Sequence, residues 1–396
     1  MVREVLISQA KDFARADVVC DALRVFDGES VLVGEGDSWR QQRRLLQQGM
    51  RSQRLRSYAR KAAEHARGML RQWPSSGVIR AGDEMSAVCK KVPFDVLLGT
   101  QPPPDLEGSI RIVLDARAVE TGKAVSSRRR YPPAQTQERD RALQQLRRFL
   151  DELIRQRRAE ADAPGDDLVG MLVRASQPHL EDEKARKQTD RRIRDETSSM
   201  MNASLDATAA AMSWTLFLVA KHDAVQTRLR EEIERGVAEH SEAAADYSPL
   251  PFAEMVVHEA LRLYPPNWLL IPRRCVQESI IGGYRIARGS WVYIFPYVIH
   301  RDARWFTEPE VFDPDRFAPD SFGRVQRSAY LPLGLGPHVC LGRALSTIIV
   351  TTILACILQE FQLELPHGYA DMEPEVRIVI RPKGGLPLIA NRRTSR

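Results

Sequence analysis

The chain has 396 residues, with 58 basic and 52 acidic side chains and a formal net charge of +6. Apolar content of 43% and charged content of 28% are those of an ordinary globular protein with material for a sizeable core, which excludes extended disorder. The five cysteines (20, 89, 275, 340 and 356) are scattered without Cys-x-x-Cys pairs, a pattern that fits a reducing compartment and not a disulfide framework.

From Met1 to Phe13 the chain mixes charges with apolar residues at helical spacing, so this is neither a signal peptide nor a membrane anchor, and a cytoplasmic protein is expected. Trp39 and Arg43 are four apart and project from one side of a helix, where a Trp taken alone is core more often than a cofactor contact. Helical periodicity covers 54–73, 83–98, 139–158, 166–175 and the long stretch 189–220. The fold expected is mainly α. Proline clusters at 102–104, 132–133 and 265–266 mark loops, and 99–133, which mixes apolar, acidic and basic residues, is read as one. Arginine clusters at 128–130, 147–148, 155–158 and 191–194 alternate with acids and read as solvated helix faces, with no nucleic-acid motif beside them.

Further on, Glu259 and Arg262 are three apart on one face of a helix that ends at Pro265-Pro266, by itself a routine ion pair. Short β signals follow at 279–286, with Gly282-Gly283 as a turn, and at 291–295, 375–381 and 386–390. The most apolar run, 345–358, is shorter than a bilayer requires and contains Ser346, Thr347, Thr351 and Thr352, so it reads as a buried helix. No repeat is found and no linker divides the chain. Residues 1–396 are therefore read as a single domain.

Cys340 lies in Tyr330-Leu-Pro-Leu-Gly-Leu-Gly-Pro-His-Val-Cys340-Leu-Gly-Arg343, just before that helix. Gly334, Gly336 and Gly342 let backbone N–H groups turn inward toward one atom, and the positive end of the helix dipole favours a thiolate there. A lone thiolate is a poor zinc site, because structural zinc takes four closed ligands, but it suits axial ligation of haem iron. The plainer alternative is a buried structural cysteine at a Gly-rich turn.

The segment Leu333-Gly-Leu-Gly336-Pro-His338-Val-Cys340-Leu-Gly342 resembles the haem-binding loop of the cytochrome P450 family, Phe-x-x-Gly-x-Arg-x-Cys-x-Gly. Leu333 replaces the usual Phe and His338 the usual Arg. Upstream, Glu259-x-x-Arg262, Leu-Tyr-Pro-Pro266, Gly282-Gly-Tyr, His300-Arg-Asp and Pro314-Asp-Arg316-Phe317 keep the family's order and spacing. The resemblance implies the mainly α P450 fold with small β-sheets and haem b with Cys340 as the metal ligand. It also implies propionate contacts from Trp39, Arg43, Arg273 and His338, and a buried network of Glu259, Arg262 and Arg316 that braces the loop. The activity implied is that of a soluble, bacterial-type monooxygenase of secondary metabolism, which inserts one oxygen atom from O2 into a small apolar organic substrate. Electrons would come from a separate ferredoxin-type partner and its reductase, since no flavin or iron–sulfur module is fused, and Arg40 and Arg44 are the candidate surface for that acidic partner. Relatives carry an additional helix and the first strands of the main sheet before the Trp-x-x-x-Arg helix. Only 38 residues precede Trp39, so those elements are expected to be missing and a sheet edge left unpaired.

Met200 to Trp214 resembles the family's distal helix, usually Ala-Gly-x-Asp/Glu-Thr-Thr/Ser, and here reads Ala203-Ser204-Leu205-Asp206-Ala207-Thr208. The acid is kept, the proton-directing Thr has become Ala207, and Thr208 lies about 100° further round the helix. The candidate catalytic residues are Asp206, Thr208 and Ser204. Proton relay by a substrate hydroxyl or an ordered water is the favoured explanation. It competes with donation by Ser204 and with peroxide-dependent or non-oxygenating haem-thiolate chemistry. From a different class, the chain would be a catalytically impaired haem- or ligand-binding protein.

Overall fold

A computed structural model describes residues 1–50, 52–127, 136–160, 167–176, 182–239, 250–322 and 328–393. Helices dominate: Asp17–Asp27 (α1), Gly36–Gln48 (α2), Ser52–Leu70 (α3), Ala81–Leu97 (α4), Pro104–Ser127 (α5), Thr136–Ala159 (α6), Leu168–Ser176 (α7), Glu183–Lys221 (α8), Asp223–Glu239 (α9) and Pro251–Leu263 (α10). Two single turns follow, Pro296–Ile299 (α11) and Pro319–Phe322 (α12), and then Arg343–Glu360 (α13). The strands are short: Phe13–Arg15 (β1), Ser76–Arg80 (β2), Arg273–Cys275 (β3), Ser279–Ile281 (β4), Tyr284–Ile286 (β5), Trp291–Val292 (β6), Phe361–Glu364 (β7), Pro374–Val376 (β8), Ile380–Pro382 (β9) and Pro387–Arg392 (β10). They form antiparallel sheets in the orders β1-β3-β6 and β2-β10-β7, with Phe13 opposite Cys275 and Leu388 opposite Ile79, and the two-stranded hairpins β4-β5 and β8-β9. Among the described strands β6 pairs with β3 alone.

The 39-residue α8 is the axis of the molecule, in contact with α1, α4, α6, α7, α9, α10 and α13. Asp182 caps it, its carboxylate accepting from the Ala185 N–H at 2.7 Å, which satisfies one of the free donors of the first turn. From Ala209 to Val219 every residue is buried, so that part of α8 has no polar face because it has no solvent to meet. Trp214 stacks on Tyr264 at 3.7 Å and donates its Nε1–H to the Ile380 carbonyl at 3.2 Å, tying α8 to α10 and β9. Two helices, Glu183–Lys221 and Arg343–Glu360, contain spans long and apolar enough to cross a membrane. Those spans are 72% and 61% buried inside the fold, as core helices are.

Two expectations are corrected. Much of 99–133 is the helix α5: Leu106, Ile110, Val113, Leu114 and Ala124 recur at helical spacing and are buried, and Pro104 opens the helix, where a missing N–H costs nothing. Residues 128–133, with the Arg128 to Arg130 cluster and Pro132-Pro133, lie outside the described residues, as does Asp166. The remaining arginine clusters are only partly solvated faces. Arg147, Arg148, Arg155, Arg191 and Arg192 are exposed, but Arg157, Arg158 and Arg194 are partly buried and reach Asp167 (3.0 Å), Asp190 (2.7 Å) and Asp151 (3.2 Å). The reason is that α6 packs against both α7 and α8, which turns part of its basic face inward. Cys20, Cys89, Cys275 and Cys356 are buried, as packing residues should be.

Candidate functional site

A cavity of about 1040 Å³ lies between α8 on one side and the Cys340 loop with the start of α13 on the other. Its walls include Val257, Leu261, Leu269 and Leu270, so most of what a ligand would meet is apolar. Leu333, His338, Val339 and Cys340 form the proximal wall, while Ser204, Asp206, Ala207 and Thr208 form the distal one.

The proximal loop is held in shape by backbone and by buried charge. Gly334 (φ +78°) and Gly336 (φ +76°) occupy the left-handed region, and a Cβ on Gly336 would collide with the Leu6 carbonyl. The Cys340 N–H closes the turn on the Leu333 carbonyl at 2.9 Å. Behind it, Arg262 Nε and Nη2 grip both oxygens of Glu259 at 2.6 and 2.8 Å, and Nη1 donates to the His300 and Pro309 carbonyls at 2.8 and 2.6 Å. Glu259 also accepts from the Asp313 N–H at 3.0 Å and from Arg316 Nε at 3.3 Å. Glu259, Arg262 and His300 are completely buried. Such a cluster is tolerable only because nearly every polar atom in it is used.

His300 links this cluster to the loop. The Leu331 N–H donates to Nε2 at 2.8 Å, which makes Nε2 the acceptor and fixes Nδ1 as the N–H that reaches the Arg262 carbonyl at 2.9 Å. Burial pushes the ring down to about 3, so it is neutral, as this bonding requires.

At the edge of the cavity Arg15, Arg43, Arg273 and His338 converge with one acid, Glu35. Arg15 donates to Glu35 at 2.9 Å and to the carbonyls of Leu32 and Gly34. His338 sits 3.4 Å from Glu35, with its ring 4.2 Å from that of Trp39. Arg43 donates to the Val339 carbonyl at 2.5 Å and Arg273 to the Ile271 carbonyl at 2.9 Å, and neither has an acid partner among the described residues. Burial, then the Arg15 charge, lowers Arg273 to about 10. The Trp39 indole N–H is committed to the Val31 carbonyl at 3.0 Å, so what Trp39 presents is its ring.

The Cys340 side chain is open to the cavity. Crowding by the surrounding fold pushes its thiol up, while the Gly342 N–H and the Arg43 and Arg343 charges pull it down.

On the distal wall, Ser204 donates its hydroxyl to the Met201 carbonyl at 3.0 Å. Thr208 is buried, with Asp206 less so, and no hydrogen bond joins Ser204, Asp206 or Thr208 to one another among the described residues. In the first half of α8, Asp195 and Glu196 accept from the Glu29 and Val31 N–H groups at 3.1 and 2.8 Å, and burial raises Glu196 to about 8.

A family profile described as Cytochrome P450 matches residues 1–388. The chain belongs to the cytochrome P450 family. Cyclooctatin synthase of Streptomyces melanosporofaciens is 26% identical over 400 residues, covering 98% of this chain and 84% of that protein. Cyclooctat-9-en-7-ol 5-monooxygenase of the same organism is 28% identical over 372 residues, covering 93% and 79%. The solved cytochrome P450DA heme domain matches with a TM-score of 0.85 over 99% of this chain and 86% of that one, at 21% identity, which is a likeness of fold alone. This P450 is thus a monooxygenase, an oxidoreductase that works with haem iron.

The donor set fits that group. One sulfur faces an apolar cavity, and a buried guanidinium, Arg273, and a half-buried one, Arg43, stand at its edge without acid partners among the described residues, where carboxylates of a planar cofactor would meet charge-assisted donors. Sequence reasoning missed Arg15, which belongs to no motif, and the linking role of His300, although the His300-Arg-Asp triplet had pointed at it.

Proposed function

We propose that residues 1–396 act as a single-domain, cytoplasmic P450 monooxygenase that holds haem b on the Cys340 thiolate and inserts one oxygen atom of O2 into a small apolar molecule. Its electrons come from a separate ferredoxin-type partner and its reductase. The observation that carries this reading is the placement of Cys340 across one cavity from Asp206, Ala207 and Thr208, with Arg43 and Arg273 uncompensated at the edge. When bound, the haem supplies O2 activation: two electrons and two protons are consumed, one oxygen atom enters the substrate and the other leaves as water.

The chain's own residues do the rest. Arg43 and Arg273 would pair with the propionates, His338, whose ring burial holds below its ordinary value, would donate a hydrogen bond to them beside the Arg15–Glu35 pair, and Trp39 packs against the His338 ring. Glu259, Arg262 and Arg316, through His300, hold the backbone that presents the sulfur. Asp206 provides the acid of the proton path, with Thr208 beside it on the wall. Ala207 offers no hydroxyl, and the Ser204 proton is engaged by Met201, so a substrate hydroxyl or an ordered water completes the relay. One relative is named for an alkenol, and we extend that substrate class, an apolar alkenol of secondary metabolism, to this chain. Arg40 and Arg44, both exposed on α2, are the surface offered to the acidic electron donor.

Carbon monoxide added to the reduced protein should give the strongly red-shifted thiolate band, and Cys340→Ala should abolish it. Persistence of the band in that variant overturns the ligand assignment. Ala207→Thr should leave product per electron unchanged, whereas a substrate lacking its hydroxyl should uncouple the enzyme; the reverse pair of results overturns substrate assistance. Turnover with peroxide but not with surrogate redox partners would favour a peroxide-dependent enzyme, the reading to which Ala207 also points.

A further inference from the structure

The roof of the cavity, where α1, α5 and α8 meet, holds a cation that is only half spent. Asp27, fully buried at the end of α1, is gripped by Arg117 of α5, whose Nε and Nη2 both stand 3.1 Å from Oδ2. Oδ1 accepts from Asn202 Nδ2 of α8 at 2.8 Å, so both carboxylate oxygens are engaged within the protein. The guanidinium is not. Nε and Nη2 form one edge of a rigid planar fork, and Nη1 stands at the far corner with two N–H groups that this ion pair cannot use. Among the described residues Nη1 has neither a hydrogen-bond partner nor an ion pair. Two other roof atoms lack partners, Asn202 Oδ1 and Thr121 Oγ1, but those are sealed into the protein. Nη1 is not among the sealed atoms, and Arg117, 7% exposed, belongs to the cavity wall. The surface it keeps is therefore surface of the cavity.

A guanidinium offers donors alone, so the group that completes it is an acceptor. Its charge is already answered by Asp27, and Asp195 and Glu196 of α8 add further negative charge beside that carboxylate. Arg117 differs in this from Arg43 and Arg273, which have no acid partner among the described residues and so call for anions. A neutral oxygen suits Arg117 better than a carboxylate. We propose that Arg117 Nη1 donates to a carbonyl or hydroxyl oxygen of an otherwise apolar substrate and so sets which carbon is presented toward Cys340. This rests on the reading of the cavity as an apolar-substrate site. Arg117 selects and orients the substrate, and Asp27, which holds the fork, is a positioning residue that acts through it. Their effect is on affinity and product regiochemistry.

The test is optical titration of the haem-loaded protein with cyclododecanone, cyclododecanol and cyclododecane. Desolvation of the oxygen would by itself make the two oxygenated probes the weaker ligands. The wild type should instead bind at least one of them as tightly as the hydrocarbon. Arg117→Lys keeps a cation on Asp27 but has no second edge, and it should weaken that probe about tenfold while leaving the hydrocarbon unchanged. Asp27→Asn combined with Arg117→Met removes the ion pair whole, strands no buried charge and should show the same selectivity. That selectivity is the reading a merely structural role would not move. A loss for the ketone alone identifies a carbonyl as the acceptor, a loss for the alcohol alone a hydroxyl, and an equal loss for both either oxygen. A wild type that binds both oxygenated probes more weakly than the hydrocarbon, or variants that weaken all three alike or none, overturns the subsite and leaves the apolar-substrate reading standing. If no probe shifts the wild-type spectrum, both readings fall together.

Discussion

Glu259 and Asn202 are both buried polar residues on helices that wall one cavity, and they differ in how much of their hydrogen-bonding capacity the protein itself consumes. Glu259 spends both oxygens, on Arg262, Arg316 and the Asp313 N–H. Asn202 spends its nitrogen on Asp27 and keeps its oxygen. The same contrast separates the two sides of the site. Below the cavity the polar groups are a frame, closed on itself and independent of any ligand. Above it, some are left without a hydrogen-bond partner among the described residues.

The strongest way to break this contrast is to open the frame. Arg262→Ala leaves Glu259 as a buried charge without its main partner, and removing one member of a buried pair costs about 3–5 kcal/mol. We expect a fall in thermal stability of that size and loss of bound haem; a cost near that of a surface ion pair would show that the network is no frame. A smaller effect comes from acid. His300 titrates at about 3 in the folded protein, against an ordinary value of 6.5. Above pH 6.5 the ring is neutral in both states. As the pH falls below that, the unfolded chain takes up a proton that the folded one refuses, so stability declines, by about 2 kcal/mol at pH 5. Denaturant midpoints measured against pH should show this slope, to which His258, pushed down to about 4 by burial, adds a similar share, and His300→Gln should reduce the total by about half. The smallest effect is expected in the roof. Thr121→Val should change stability by no more than about 0.5 kcal/mol, in either direction, because the lost hydroxyl had no partner. A large loss there would mean that Thr121 belongs to the frame.

The frame was legible in the sequence because it is local and fixed in type. Glu259 and Arg262 are three apart, Arg316 stands in its own motif, and Cys340 lies in a glycine-marked turn whose residues have few alternatives. The roof was not legible. Asp27 meets Arg117 across 90 positions and Asn202 across 175, and no periodicity connects such distant residues. The α5 helix was missed for a different reason: Pro102 to Pro104 reads equally well as a break or as a beginning, and only packing decides.

Asp27 has a mechanical consequence. One carboxylate joins the end of α1 to the middle of α5 and to the axis of the molecule, all without solvent contact. To swing α1 away from the cavity, the protein must uncover a carboxylate and a guanidinium in the same movement. Partial excursions gain nothing, since either group left unpaired in the interior costs more than both released into water.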